Sequence, residues 1–171
     1  KPVEGRLESI GNIKNNSKVI LDYAHTPDAL KYTLESIREQ FNQSSISIVF
    51  GCGGDRDKNK RPIMGKIANH YCDKIFLTDD NPRYENPRKI RNQIKKKIEN
   101  HKLIEIASRK NAIKIAIEKL NSGDILVVAG KGHEIYQEYR GRKKIFSDKK
   151  HILKEINSKN KKLFKNWKAN I

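Results

Sequence analysis

Cysteine is scarce in this sequence of 171 residues: Cys52 and Cys72 are the only two, and they form no CxxC pair. Histidines are not clustered at metal-ligand spacing either, so the chain encodes neither a disulfide framework nor a structural zinc site. The longest apolar runs, residues 46–51 and 125–130, are far too short to cross a bilayer, and no apolar block follows a basic start. These absences predict a soluble, cytoplasmic protein without a signal peptide.

Acidic residues are also in deficit, since 20 Asp and Glu stand against 37 Lys and Arg and leave a formal net charge of +17. Such a charge raises nucleic acid or an anionic membrane as a partner. Much of it lies in residues 149–171, which hold eight lysines and one glutamate, and the sequence has no recognition-helix signature, RNP-like aromatic pair or zinc finger. We therefore expect a solvated basic surface with no nucleic acid and no membrane as partner.

Short β-branched runs alternate with segments of helical period, which is typical of a parallel sheet covered by helices. Several runs are apolar on both faces, as buried parallel strands are. The sequence thus predicts an α/β fold, a Rossmann-like open, mostly parallel sheet flanked by helices around one core. The candidate strands are residues 19–22, 46–50, 74–78, 103–107 and 125–129.

Two helix starts carry an N-cap former directly before a proline, which favours the first helical position. Thr26 precedes Pro27, and Asn86 precedes Pro87. We therefore expect helices to begin at these two prolines.

The chain divides into three segments on composition. Residues 1–8 are interpreted as a hinge or linker from something upstream, residues 9–157 as the folded domain, and residues 158–171 as a basic C-terminal tail. The tail mixes Lys and Asn with Phe164 and Trp167, a pattern compatible with a docked helix or with a frayed end.

Polar and glycine-rich loops follow four of the predicted strands. In an open α/β sheet, ligands bind beyond the carboxyl ends of the strands, where loops meet helix N-termini with free backbone donors. The opposite strand ends carry ordinary polar turns, so the asymmetry predicts one site at this edge. The four loops are residues 22–27, 51–58, 79–83 and 130–134.

The loop at residues 79–83 combines Asp80, Asn81, Pro82 and Arg83. This set suits a zwitterion, because an arginine can bind a carboxylate bidentately while the acid or the amide holds an ammonium. Taken alone, the same tetrapeptide is also compatible with a plain turn.

The glycine-rich loop at residues 51–58 is neither GxGxxG nor GxxxxGK[ST], so it matches neither the dinucleotide fingerprint nor a Walker loop. Its glycines allow Arg56 and Lys58 to approach an anion, or else they form a tight turn with solvated charges. His25 could contact a nucleotide or transfer a proton, and Asp22 could bind a ribose hydroxyl or a cation. Both are equally ordinary as capping residues.

Five strings occur in one order: PVEGRLE at 2–8, DYAHTPDAL at 22–30, FGCGGDRDKNKRP at 50–62, TDDNPR at 78–83 and AGKGHE at 129–134. Together they resemble the Mur ligase family, and within it the ligases that add meso-diaminopimelate. The resemblance fades beyond about residue 148. It implies the C-terminal, amino-acid-binding domain of a three-domain enzyme, joined by its first eight residues to a central domain.

The resemblance further implies that ATP phosphorylates the D-glutamate side chain of UDP-MurNAc-L-Ala-D-Glu and that an amino group of meso-diaminopimelate attacks the acyl phosphate. Arg56 and Arg83 would take carboxylates, and Glu134 the distal ammonium. Lysine lacks the second carboxylate, so Arg83 would favour diaminopimelate over lysine. The family's amino-acid contacts fall here on Arg56, Asp80, Asn81, Pro82, Arg83, Gly130 and Glu134.

Four further residues match family positions tied to ATP and to closure: Arg6, Asp22, His25 and Lys58. By the same resemblance, ATP and Mg²⁺ are bound mainly by the central domain, and no metal ligand is assigned here. We expect a monomer that is not catalytically competent without the other domains. A sister ligase adding lysine, another amino acid or a dipeptide is the same-fold alternative, and a basic nucleic-acid-binding module is the alternative from another class.

Overall fold

The computed structural model describes residues 4–169. The start of the predicted linker at residues 1–8 and the end of the predicted tail at residues 158–171 lie outside the described residues. The elements in chain order are β1 Glu8–Ser9, β2 Lys18–Asp22, α1 Pro27–Gln40, β3 Ile46–Phe50, α2 Lys60–Tyr71, β4 Lys74–Leu77, α3 Pro87–Lys95, β5 Leu103–Glu105, α4 Arg109–Glu118, β6 Ile125–Ala129, β7 Tyr136–Tyr139, β8 Arg142–Ile145 and α5 Asp148–Ala169.

A mostly parallel sheet organises these elements, in the order β1-β2-β6-β3-β4-β5. All neighbours from β2 to β5 run parallel, and β1 is antiparallel at one edge. The predicted fold class and the five predicted strands are confirmed, although β4 and β5 are shorter than predicted. The antiparallel β1 was not predicted, and its first residue, Glu8, belongs to the predicted linker.

Helix starts follow the capping pattern. The hydroxyl of Thr26 accepts from the backbone N–H of Ala29, and the side chain of Asn86 accepts from the N–H groups of the next helix. Each cap satisfies a backbone donor that has no partner inside the helix. Both predicted helix starts are confirmed.

The hydrophobic core occupies both faces of the sheet. One face packs under α1, α2 and α3, and the other under α4 and α5. Strands β3 and β6 are buried along their whole length, and apart from Ser47 their residues are apolar on both faces. None of the helices in residues 4–169 is long and apolar enough to span a membrane.

The last helix, α5, continues across residue 158 as one element. Ile152 and Ile156 are buried in its first half, and Leu163 packs partly against the same cluster. The Lys159 ammonium donates to the carbonyls of Glu118 and Leu120. Of the two alternatives for this segment, the structure shows a docked helix as far as about Leu163, and the last turn with Trp167 is helical but exposed.

Strands β7 and β8 form a separate antiparallel hairpin that the sequence did not predict. The hairpin lies against the loop after β4, where Arg83 and Tyr139 form a bridge. Through this contact, residues that are distant in the sequence support the loop that carries most of the predicted site residues.

Candidate functional site

The carboxyl ends of β2, β6, β3 and β4 are neighbours in the sheet, so the loops that follow them meet. They enclose an open cavity of about 530 Å³. A second cavity of about 410 Å³ adjoins it at the loop after β2. Six of the seven residues predicted to contact the amino acid line the first cavity: Arg56, Asp80, Asn81, Arg83, Gly130 and Glu134.

Arg83 has a left-handed backbone, with φ of 52°, which is uncommon for a residue other than glycine. The hairpin holds it there, because its N–H donates to Glu138 O at 3.2 Å and its carbonyl accepts from Arg140 N at 2.6 Å. Its guanidinium Nη1 donates to Gly54 O at 2.7 Å. The side chain therefore turns toward the glycine-rich loop and the cavity, not toward bulk solvent.

Pro82 lies behind the cavity, buried against the glycine-rich loop. A Cβ added at Gly54 would sit 1.9 Å from Pro82 O, and one added at Gly51 would sit 2.2 Å from Thr78 O. The glycines are therefore required by backbone-to-backbone contact between two loops. Pro82 contributes rigidity and does not line the cavity.

Asp80 is fixed through both its backbone and its side chain. Its backbone carbonyl accepts from Gln137 Nε2 at 2.7 Å, and its side-chain Oδ1 accepts from Asn81 N at 2.7 Å. Its Oδ2 lies 4.0 Å from Nη1 of Arg109, a fully buried arginine. The same guanidinium binds Asp148 through Nε at 2.8 Å and Nη2 at 2.7 Å, so a buried ion pair lies directly behind Asp80.

Asp79, the residue before, anchors the loop to the hairpin and to α3. Its carboxylate pairs with Arg91 and accepts from Tyr139 Oη at 3.0 Å. Burial raises the pKa of Asp79, with Arg91 and Tyr139 opposing the shift. Burial also raises the pKa of the Tyr139 hydroxyl, which stays protonated and donates.

Lys131 is a fully buried lysine at the floor of the site. Its Nζ donates to Asn81 Oδ1 at 2.9 Å and to Glu134 Oε2 at 2.8 Å. Asn81 Nδ2 also donates to that carboxylate oxygen at 3.1 Å, and Asn81 Oδ1 accepts from Glu138 N at 3.0 Å. Two predicted contact residues are thus held by a cation that sequence reasoning did not select.

The second cavity contains Arg6, Asp22 and His25, three of the four residues predicted for nucleotide and closure. The Asp22 carboxylate is engaged within the chain: Oδ2 accepts from Leu7 N at 2.8 Å, and Oδ1 from Ala24 N at 2.8 Å and Thr33 Oγ1 at 3.0 Å. Asp22 therefore ties the incoming segment to the sheet.

His25 borders both cavities and is exposed to solvent. Its Nδ1 is 2.9 Å from Tyr23 O, and the two rings are 4.6 Å apart. Lys58, the fourth predicted residue, lines neither cavity. Its side chain is 62% exposed, and its nearest carboxylate is Glu85 at 3.9 Å.

Arg61 and Glu85 brace the glycine-rich loop from below. The fully buried Arg61 guanidinium binds both carboxylate oxygens of Glu85, at 2.8 and 2.9 Å, and donates to Gly53 O at 3.0 Å. This bidentate contact lowers the pKa of Glu85 to about 2.

Cys52 forms part of the cavity wall but is almost fully buried. Its Sγ lies 3.7 Å from Met64 Sδ. Burial raises the pKa of the Cys52 thiol to about 12, so the free side chain stays protonated near neutral pH and is a poor nucleophile. Across residues 4–169, no three His, Cys, Asp or Glu side chains are grouped to hold a metal ion.

Comparison with known proteins gives a consistent result. Residues 5–132 match the family described as Mur ligase, glutamate ligase domain. The UDP-N-acetylmuramoyl-L-alanyl-D-glutamate--2,6-diaminopimelate ligase of Chelativorans sp. (strain BNC1) is 47% identical over 156 residues, which cover 91% of this chain and 32% of that protein. The protein of the same name from Buchnera aphidicola subsp. Baizongia pistaciae is 49% identical over 162 residues, with 94% and 32% covered.

A solved structure described by that same ligase name superposes with a TM-score of 0.83 at 40% identity. It covers 91% of this chain, which in turn covers 32% of the solved chain. The chain therefore spans roughly a third of the length of the relatives it matches.

Proposed function

Because the chain belongs to the Mur ligase family, through its glutamate ligase domain, we propose that it is the amino-acid-binding part of an ATP-dependent ligase. The whole enzyme would add meso-diaminopimelate to UDP-MurNAc-L-Ala-D-Glu in peptidoglycan synthesis in the cytoplasm. The two relatives described above carry the name of that ligase, which supports the assignment. One observation of the site carries it: the Arg83 guanidinium, held by Gly54 O, borders the same cavity as Asn81 and Glu134.

The cavity has the donors and acceptors that the far end of meso-diaminopimelate requires. That end carries one carboxylate and one ammonium. Arg83 and Arg56 offer guanidinium donors for carboxylates, and Glu134 with Asp80 offers acceptors for an ammonium. Asn81 is held between Lys131 and Glu134 and orients the acceptor side. Gly130, with φ of 109°, leaves room at Asp80 Oδ2, which a Cβ would approach to 3.1 Å.

The second cavity is the candidate for nucleotide contact. Arg6 and His25 border it and are suited to hydrogen bonding with phosphate oxygens. ATP, when bound with the rest of the enzyme, supplies the phosphoryl group that activates the D-glutamate carboxyl. The described residues offer no cluster for Mg²⁺, so we assign no residue of this chain to the ion.

Contacts of residues 5–8 support a role for this segment in closure. Asp22 Oδ2 binds Leu7 N, and a Cβ at Gly5 would sit 2.6 Å from His133 N, so the incoming segment packs directly on two site loops. Rotation of this domain about the segment would bring the amine to the activated carboxyl and exclude water. We therefore propose residues 5–8 as the gate.

The proposal is tested in the full-length enzyme with Arg83→Ala. Deleting a charge-assisted contact costs roughly 1.5–3 kcal/mol, so kcat/KM for meso-diaminopimelate should fall by roughly 10- to 100-fold. The value for lysine should change little, because lysine has no second carboxylate. The preference for diaminopimelate over lysine is the quantity to measure.

Arg88→Ala is the matched control, since Arg88 is an exposed arginine at the start of α3. It should leave the preference unaltered. If Arg83→Ala also leaves it unaltered, the site assignment is wrong. Competition between amino acids in the same assay separates the proposal from a sister ligase.

A further inference from the structure

Lys131 has an unusual position for its residue type, because lysines are almost never fully buried unless paired. Here the side chain has no solvent exposure and its ammonium contacts Asn81 and Glu134. The ring of Tyr136 covers the remaining side, with its centroid 5.6 Å from Nζ. A fixed positive charge therefore lies in the protein floor beneath the site.

The contacts of Lys131 determine which groups face the ligand. Lys131 Nζ and Glu138 N are both donors to Asn81 Oδ1, so the amide must turn its Nδ2 toward Glu134. Lys131 also pairs with Glu134, which borders the cavity with 21% of its side chain exposed. The Glu134 carboxylate is thereby shared between an internal cation and the occupant of the cavity.

Charge then distinguishes possible head groups. The far end of meso-diaminopimelate is a zwitterion with no net charge, whereas the far end of lysine is a lone ammonium. A fixed cation below the site disfavours the lone ammonium, but its effects on the two charges of a zwitterion largely cancel. Arg83 and Arg56 at the cavity act in the same direction.

We propose that Lys131 is a specificity-determining residue that disfavours amino acids whose distal head group is a net cation. Its positive charge partly neutralises the negative charge of Glu134, so that the site binds an ammonium well only when a carboxylate accompanies it. This role deepens the proposed function and rests on it. Lys131 acts through Glu134 and the electrostatic field, without touching the ligand.

The experiment uses the full-length enzyme with Lys131→Gln and Lys131→Met. Gln removes the charge and keeps a hydrogen-bond donor, while Met removes both. We expect the ratio of kcat/KM for meso-diaminopimelate to kcat/KM for lysine to fall by about tenfold in each variant. The fall should come mainly from better use of lysine.

Lys66→Gln, an exposed lysine of α2, is the control and should keep the wild-type ratio. A parallel loss with both amino acids, at constant ratio, would mean that Lys131 has only a structural role and would overturn the proposal. A higher ratio would overturn it as well. If Lys131→Met does not fold by circular dichroism, Lys131→Gln decides.

The wild-type arm separates the two proposals. If the wild-type enzyme does not ligate diaminopimelate, the proposed function fails whatever the variants do. If it does, and the ratio stays constant in Lys131→Gln, only the role of Lys131 fails.

Discussion

At the scale of single residues, buried charge is concentrated directly behind the site. Arg61, Arg109 and Lys131 are all fully buried, and each contacts a loop that borders the cavity. Buried ions are costly unless paired and hydrogen-bonded. Their presence here is consistent with loops that must hold charged groups in fixed positions.

The Arg61–Glu85 contact predicts a pH dependence of stability. Glu85 has a folded-state pKa of about 2, below its ordinary value of 4.5. Its contribution to stability is therefore present above about pH 4.5 and is lost as the pH falls toward 2, because the unfolded chain takes up the proton first. Glu85→Gln should flatten the pH dependence of the unfolding free energy in that window, measured by denaturant titration.

Glu39→Gln is the comparison for this experiment, because Glu39 is an exposed carboxylate of α1. It should leave the pH dependence as it is in the wild type. An equally steep loss of stability in Glu85→Gln would show that other carboxylates cause the acid sensitivity.

Arg109 and Asp148 predict a large, asymmetric effect on stability. Arg109→Met leaves a fully buried Asp148 without its partner and should cost about 3–5 kcal/mol of unfolding free energy. The double variant Arg109→Met with Asp148→Leu should cost less, since it leaves no buried charge. Equilibrium unfolding of the wild type, the single variant and the double variant measures these differences in unfolding free energy.

The exposed pair Lys162–Glu118 provides the reference. Lys162→Met should change the unfolding free energy by less than about 1 kcal/mol. An equally small change in Arg109→Met would contradict the role assigned to the buried pair.

At the scale of elements, the glycine-rich loop and the loop after β4 form one unit through backbone contact. Gly54→Ala would place a methyl group 1.9 Å from Pro82 O, so one of the two loops must move, and Arg83 with it. In the full-length enzyme we expect a KM for meso-diaminopimelate raised by about tenfold or more. Steady-state kinetics measures it.

Gly123→Ala is the control, because Gly123 has φ of 79° and no neighbour within 4 Å of an added Cβ. It should cost about 1 kcal/mol in stability through backbone strain and leave KM unchanged. A similar KM in Gly54→Ala and wild type would show that the two loops move independently.

Local signals account for what the sequence predicted at this scale. The strands were readable from continuous apolar runs, and α1 and α3 from an N-cap followed by proline, because those signals depend on neighbouring residues. The hairpin β7–β8 was missed because its strands are mostly polar or charged and β8 is exposed throughout. Its pairing with Arg83 is a long-range contact with no local pattern.

Local sequence patterns also revealed only some of the site residues. Gly, Asn, Pro and Arg at the strand ends stood out by type and place, and the cavity contains most of them. Lys131 did not stand out, because a lysine in a glycine-rich loop ordinarily faces solvent. Arg109 likewise has the sequence appearance of a surface residue at the start of a helix, and only the tertiary structure buries it.

At the scale of the whole molecule, one sheet joins both halves of the core. The helices on the two faces of the sheet pack against the same strands. Unfolding of one helical layer would therefore also expose strands on which the other layer packs. We expect the chain by itself to unfold in a single cooperative transition, with equal calorimetric and van't Hoff enthalpies of unfolding. Separate transitions would contradict this.

The same chain should bind without ligating. It spans roughly a third of its relatives' length, so most of the whole enzyme is outside this chain. Mixed with ATP, Mg²⁺, UDP-MurNAc-L-Ala-D-Glu and meso-diaminopimelate, it should give no tripeptide product by chromatography, whereas the full-length enzyme should. Product from the chain alone would contradict the expectation that ligation needs the rest of the enzyme.

The sulfur in the cavity wall has a practical consequence for inhibitor design. Cys52 borders the space proposed for the amino acid, yet its pKa near 12 keeps it in the unreactive neutral form. Electrophilic warheads that target cysteine would therefore gain little here. A reversible compound that mimics a zwitterion and engages the two guanidinium groups is the better starting point.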